Sequence, residues 1–382
     1  MAANRITELF LQEGQSAWQD DISRDMLNQG EIARAIDETG IRGLTSNPTI
    51  FEKAIAAGHA YDASVAELAA QGLDDAEIFE AVAVADIQAT CDLFRDLYES
   101  SNGGDGFVSI EVSPLGARDA ERTAADARRL WQAVDRPNLM VKIPGTVEGT
   151  PVIQQMLDEG ININVTLLFS GEAYERVARA YIDAIKARAA RGEPVDRIAS
   201  VASFFVSRVD ALVDKQLDAL IAAETDAVKK AKLESLKGKA AVANAKLAYR
   251  TFQRLFSGPE WEPLAAAGAK VQRPLWASTS VKNPAYPDTL YVDELIGPDT
   301  VNTMPRPTIT AFLDHGTVAR TVDTGVEEAA ITMAELEKAG VDFQAVTDQL
   351  EDEGIAAFVK SFESLLSGVA AKRAQLTGTP AD

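Results

Sequence analysis

The chain has 382 residues and carries 37 Lys+Arg against 58 Asp+Glu, a formal net charge of −21. A surface this acidic repels phosphate backbones and anionic lipid within about a Debye length, which argues against nucleic acid and membrane surfaces as partners and means that an anionic substrate must be caught by a local group of cations. The 46% hydrophobic and 25% charged residues belong to a folded protein, the single Cys91 cannot close an internal disulfide, and two histidines, His59 and His315, cannot build a three-histidine zinc site.

The N-terminal stretch MAANRITELFLQEGQSAWQDD spaces its apolar residues as a short amphipathic helix does, and polar residues interrupt it before a signal-peptide core forms. Apolar runs such as residues 165–169 fall far short of the roughly 20 residues of a membrane span. A cytoplasmic protein is therefore expected. Strand cores follow in order at AWQD (17–20), RGLTS (42–46), VSIEVS (108–113), LMVKIP (139–144), INVTLLF (163–169), ASVASFF (199–205), RPLWAST (273–279) and TVNTMP (300–305). Each precedes a longer stretch with helical spacing. Continuous apolar strands that alternate with helices are the pattern of a buried parallel sheet, so the chain is expected to be α/β, a (β/α)8 TIM barrel. The alternative is a doubly wound sheet with an appended helical domain.

One barrel domain over 1–382 with additional helices is expected. Residues 52–101 leave room for two or three helices, and 207–256, rich in Ala, Lys, Glu and Leu, read as a helical insertion, a hairpin broken near Lys237 and Gly238. The loop SNGGDG (101–106) matches no phosphate-binding spacing and reads as a flexible connection. Residues 367–382 read as a helix end and a flexible tail.

Polar residues recur at the C-terminal ends of the strands, where barrels of this kind gather their chemistry: Asp20, Asn47, Glu111, Lys142, Asn164, Thr166 and Ser203. Lys142 sits among Leu139, Met140, Val141, Ile143 and Pro144. A lysine in an apolar strand either pairs with a carboxylate such as Asp20 or Glu111, or sheds its proton readily and becomes the neutral amine that Schiff-base chemistry requires. Asp20 and Glu111 offer proton transfer. Asn47, Asn164, Thr166 and Ser203 suit sugar hydroxyls, although such residues also cap helices. Arg208, at the expected start of a helix after the sixth strand, and Lys282, after the seventh, are candidate phosphate ligands.

These residues lie in stretches that resemble transaldolases. GLTSNPTIFEKAI (43–55) is similar to the family's Thr-[Ser/Thr]-Asn-Pro signature and LMVKIPGTVEGTPVIQQM (139–156) to its active-site lysine signature. EGININVTLLFS (159–170) and SFFVSRVD (203–210) resemble two further segments in the right order, and the length and WASTSVKNPAYPDTLYVDEL (276–295) most resemble the longer bacterial members. The resemblance implies a cofactor-free, metal-independent enzyme of the pentose phosphate pathway. Its substrates would be sugar phosphates, between which it moves a dihydroxyacetone unit. It implies Lys142 as the Schiff-base lysine, Asp20 as the acid/base for the hydroxyl beside the cleaved bond, and Glu111 acting through a water held by Thr166. Asn47, Asn164 and Ser203 would surround the dihydroxyacetone moiety and Arg208 the phosphate. Shorter members usually have a second arginine where Lys282 stands, and strand alternation selects Asp20 over its neighbour Asp21.

The nearest rival is an aldolase of the same superfamily that releases free dihydroxyacetone. Such relatives are much shorter and carry tyrosine where this chain has Phe205, whose apolar ring should keep water from the carbanion. A non-catalytic sugar-phosphate sensor would need no proton-transfer pair. The assembly is expected to be a monomer or a homodimer.

Overall fold

The computed structural model describes residues 4–56 and 58–378. Eight strands, β1 (Ser16–Gln19), β2 (Gly43–Leu44), β3 (Phe107–Glu111), β4 (Leu139–Pro144), β5 (Ile163–Leu168), β6 (Ser200–Phe205), β7 (Arg273–Ala277) and β8 (Val301–Met304), pair in parallel in sequence order. β8 pairs with β1 along its whole length, Ser16 opposite Val301 through Gln19 opposite Met304, and closes the sheet into a (β/α)8 barrel. Closure explains the continuous apolar runs. One face of each strand fills the barrel and the other packs on the helix ring, so both are largely apolar and the polar residues among them need partners. The doubly wound alternative, which needs two free edges, is excluded. The strands keep to the expected segments but are shorter at most ends, and β2 contracts to two residues.

The N-terminal helix Arg5–Glu13 forms as its pattern predicts. Asn4 and Thr7 exchange side-chain to backbone hydrogen bonds at its start, and Gly14, at φ 69°, ends it. Between β2 and β3 the chain forms the helices Pro48–Ala56, Asp62–Ala70, Asp75–Leu93 and Arg95–Ser100, where two or three were expected. The 207–256 stretch is three helices, Ser207–Ala223, Ala227–Glu234 and Ala240–Leu255. The break near Lys237 is present, and a second falls at 224–226, where Asp226 caps the middle helix through the Val228 and Lys229 amides.

Two expectations fail. The C-terminal helix runs over Phe343–Thr377, so 367–377 is helix and not tail; residues 379–382 lie outside the described residues. By length and mean hydropathy this helix is long and apolar enough to cross a bilayer, yet Val346, Leu350, Phe358, Leu365 and Val369 are buried where it packs on Pro48–Ala56, Asp62–Ala70, Asp75–Leu93 and β5. The loop 101–106 is no flexible connection either. Asp105 within it is 2% exposed and ties the N-terminal ends of β1 and β7 together. Gly106 beside it adopts φ 79° and lies so close to the helix end that a Cβ would sit 2.6 Å from the Tyr98 nitrogen.

Candidate active site

The C-terminal ends of the strands enclose a pocket of about 340 Å³. At its base is Lys142, 5% exposed on a strand whose six residues are all buried. The register sets Glu111 of β3 and Asn164 of β5 directly beside it, and paired residues of parallel strands point the same way, so all three enter the barrel. Lys142 Nζ donates to the Ser46 carbonyl at 3.0 Å and lies 3.2 Å from Glu111 Oε2. Beyond that contact neither Glu111 oxygen has a hydrogen-bond partner.

Asp20 follows β1 and lines the pocket, with Oδ1 accepting from Thr45 Oγ1 at 2.6 Å; Thr45 Oγ1 in turn lies 2.7 Å from Thr303 Oγ1. Asp21 points elsewhere and pairs with Arg306 at 3.1 Å. Burial raises the pKa of Asp20 above the usual carboxylate value, against the opposing pull of the Lys142 charge, and it raises that of Glu111 in the same way. Two carboxyls that hold their protons to higher pH beside one lysine suit proton exchange.

Thr166 lines the pocket with Oγ1 buried and without a hydrogen-bond partner. Just after it the β5–β6 register shifts between Val165 and Leu168, and Leu167 takes φ 60°. A left-handed backbone costs a non-glycine residue about 1–2 kcal/mol, so packing must hold it there. Ser278, at φ 55° after β7, is a second such position on the pocket wall.

Ser203 and Phe205, on β6, face the pocket; the Phe205 ring lies 5.2 Å from that of Phe169 and 5.5 Å under the Arg208 guanidinium. Asn47 also lines it, but its Oδ1 accepts from the Ile50 amide at 3.1 Å and so caps the helix that follows. Asn164 does not line the pocket. Its side chain donates to Ser109 Oγ at 3.0 Å and accepts from Ser203 Oγ at 2.7 Å, which makes it a support for Ser203. Glu111 is likewise absent from the wall of this pocket, its carboxyl oxygens buried inside the barrel against Lys142.

Cations gather at the mouth. Arg208 is the second residue of Ser207–Ala223, a helix whose start no side chain caps, and it makes no ion pair among the described residues; burial lowers its pKa, which Glu353 partly offsets. Lys282 donates to Ser280 Oγ at 2.8 Å, and burial, then the Arg208 and Lys53 charges, lower its pKa. Lys53, on Pro48–Ala56, completes a group of three in one pocket. Like charges brought together without carboxylate partners favour an anion between them.

Sequence reading missed Thr45, Ser46, Lys53, Thr303 and Phe358. The first three lie inside the stretch 43–55 that was singled out, and helical spacing already puts Lys53 one turn beyond Thr49, which also lines the pocket. Nothing local marks Phe358, which the C-terminal helix returns to the pocket from the far end of the chain.

The family described as Transaldolase/Fructose-6-phosphate aldolase matches residues 17–369. A protein named transaldolase from Trichodesmium erythraeum is 48% identical over 99% of this chain and 100% of its own length. One named transaldolase 2 from a Nostoc species is 48% identical over 97% of this chain and 98% of its own, and one named transaldolase from Thermobifida fusca is 48% identical over 95% and 97%.

Proposed function

The chain belongs to the transaldolase/fructose-6-phosphate aldolase family, and from that premise we propose that it is a transaldolase of the pentose phosphate pathway. It transfers a dihydroxyacetone unit from sedoheptulose 7-phosphate to glyceraldehyde 3-phosphate, giving erythrose 4-phosphate and fructose 6-phosphate. The observation that carries the reading is Lys142 at the base of the pocket, 3.2 Å from a carboxyl that is otherwise unpartnered.

The neutral amine of Lys142 adds to the C2 carbonyl of the donor ketose. The carbinolamine loses its hydroxyl as water, with Glu111 supplying the proton through a water held at Thr166 Oγ1, and an imine forms. Asp20 takes the proton of the C4 hydroxyl as the C3–C4 bond breaks. The aldose phosphate leaves, and the bonding electrons pass into the imine as an enamine on Lys142. The acceptor aldehyde then adds at C3 while Asp20 returns the proton to the new hydroxyl, and hydrolysis frees the ketose. Arg208, Lys282 and Lys53 hold the terminal phosphate of donor and acceptor in turn. The rings of Phe205, backed by Phe169, and Phe358 form an apolar wall that favours transfer over protonation and release of free dihydroxyacetone.

Borohydride reduction in the presence of fructose 6-phosphate tests the reading. It should leave a stable adduct on Lys142, and a coupled assay should detect erythrose 4-phosphate with far less free dihydroxyacetone. Absence of the adduct refutes the imine, and dihydroxyacetone as the main product makes the chain an aldolase.

A further inference from the structure

The chain between β7 and the short helix Leu290–Asp293 has no regular structure, and it carries Lys282 to the pocket. Burial, then repulsion from the Arg208 and Lys53 charges, lowers the pKa of Lys282. Like charges push each other apart, so a loop that brings Lys282 to Arg208 needs an anchor. Directly after Lys282 come Asn283, Pro284, Ala285 and Tyr286, a tight turn in which the Tyr286 amide donates to the Asn283 carbonyl at 3.1 Å and the Ala285 amide to Asn283 Oδ1 at 3.0 Å. Asparagine at the first position and proline at the second are residues that such a turn favours. The turn ends on Tyr286, whose hydroxyl donates to Asp214 Oδ2 at 2.6 Å. Asp214 is 7% exposed and belongs to Ser207–Ala223, the helix that bears Arg208. Its other oxygen accepts from the Gly238 amide at 2.9 Å. Gly238 takes φ 68°, and a Cβ there would lie 2.6 Å from Tyr286 Cζ, so the ring packs on bare backbone. One helical turn earlier the buried Asp210 repeats the pattern, accepting from the Ala241 amide at 2.8 Å and from the Tyr291 hydroxyl at 2.9 Å.

We infer that Tyr286 and Asp214 are positioning residues of the phosphate site: their hydrogen bond fixes the Lys282 loop to the helix of Arg208 and sets the separation of the two cations. Neither residue touches the substrate. Tyr291 and Asp210 tie down the far end of the same stretch, and Gly238, where the 207–256 segment breaks, is the surface on which the Tyr286 ring rests. The inference rests on the reading of Arg208 and Lys282 as phosphate ligands above. A loop ordered in advance does not lose its conformational freedom when the phosphate arrives, so the clamp acts on binding of the phosphorylated sugar and not on cleavage of its carbon–carbon bond.

Tyr286→Phe removes the hydroxyl and keeps the ring, and Asp214→Asn weakens the same clamp from the other side. Each should raise the Michaelis constant for fructose 6-phosphate about three- to fivefold, no more than Lys282→Ala does, with kcat and the kcat/KM for unphosphorylated fructose within about twofold of wild type. Because the clamp acts through Lys282, Tyr286→Phe made in a Lys282→Ala background should add less than about 1.5-fold. An unchanged Michaelis constant in both clamp variants, with Lys282→Ala showing its effect, overturns the clamp and leaves the phosphate reading standing. An equal loss with fructose shows a general structural role and overturns the clamp as well, and so does an undiminished effect of Tyr286→Phe in the Lys282→Ala background. Lys282→Ala without effect on the phosphorylated donor refutes the phosphate reading of Lys282 itself, and the positioning role falls with it.

Discussion

At the N-terminal end of the barrel Asp105 accepts from Ser16 Oγ at 2.6 Å, Trp18 Nε1 at 3.2 Å, Arg42 Nε at 2.7 Å and Arg273 Nη1 at 3.1 Å. Arg273 spends its other nitrogen on Ser16 Oγ and the Thr300 carbonyl, both at 2.7 Å. At the C-terminal end Lys142 touches Glu111, which has no other partner, and its charge also acts on Asp20. Both clusters are buried and both mix acids with bases. In the lower one the hydrogen-bonding capacity is used up and the acid is outnumbered by arginines, whose protons do not leave. In the upper one the acids outnumber the base, burial raises their pKa values, and bonding capacity is left over. Satisfied buried charge locks strands together; unsatisfied buried charge is ready to exchange protons with a substrate.

Lys142→Arg should separate the two ends most sharply. Arginine keeps its proton and cannot form an imine, so transfer should fall by at least about 10⁴-fold with the fold and thermal midpoint nearly unchanged. Activity above a few per cent of wild type in the coupled assay sinks the assignment. Asp105→Ala is the mirror experiment. It leaves Arg42 and Arg273 buried without their carboxylate and should cost about 3–5 kcal/mol in urea unfolding, while turnover per folded molecule stays near wild type. A loss below about 1 kcal/mol would mean that the lower cluster is not a stabilising one.

Arg208→Ala should raise the Michaelis constant for phosphorylated donors about ten- to hundredfold, since a hydrogen bond to a charged group is worth about 1.5–3 kcal/mol. Lys282→Ala and Lys53→Ala should each do less, because an exposed ammonium is a compact, strongly hydrated charge without the guanidinium fork. If an unphosphorylated ketose is weakened equally, these cations hold the fold or the sugar and not the phosphate.

The smallest effect concerns stability and pH at Glu111. Burial lets the folded protein keep the Glu111 proton to higher pH than the unfolded chain, whose value is near 4.5. Its favourable contribution is present below that value and is lost as pH rises through the raised folded value. Glu111→Gln carries no such loss. It should match wild-type stability near pH 4 and exceed it by about 1 kcal/mol or less at pH 8, while transfer falls about 10²–10⁴-fold. A variant destabilised at pH 8 would show that Glu111 belongs with the lower kind of cluster.

The eight strands, their parallel pattern and the place of Lys142 in β4 are legible in the sequence, because each depends on spacing within about ten residues: a continuous apolar run, the helical stretch behind it, and one lysine among aliphatic neighbours. Asp20 over Asp21 is legible for the same reason, since alternation along a strand is local. Closure of β8 on β1 leaves no local mark. Nor does the burial of Asp105, whose surroundings of serine, asparagine and glycine look like a solvent loop until Arg42, just before β2, and Arg273 of β7 reach it. The same holds for Asn164, polar and inside the barrel as expected, yet bonded to Ser109 of β3, two strands away, and to Ser203 of the adjacent β6. Phe358 enters the pocket only because the C-terminal helix folds back over the strand ends. Periodicity reports which face of an element is buried; what meets that face is decided by contacts between residues hundreds of positions apart, and those exist only once the barrel has closed.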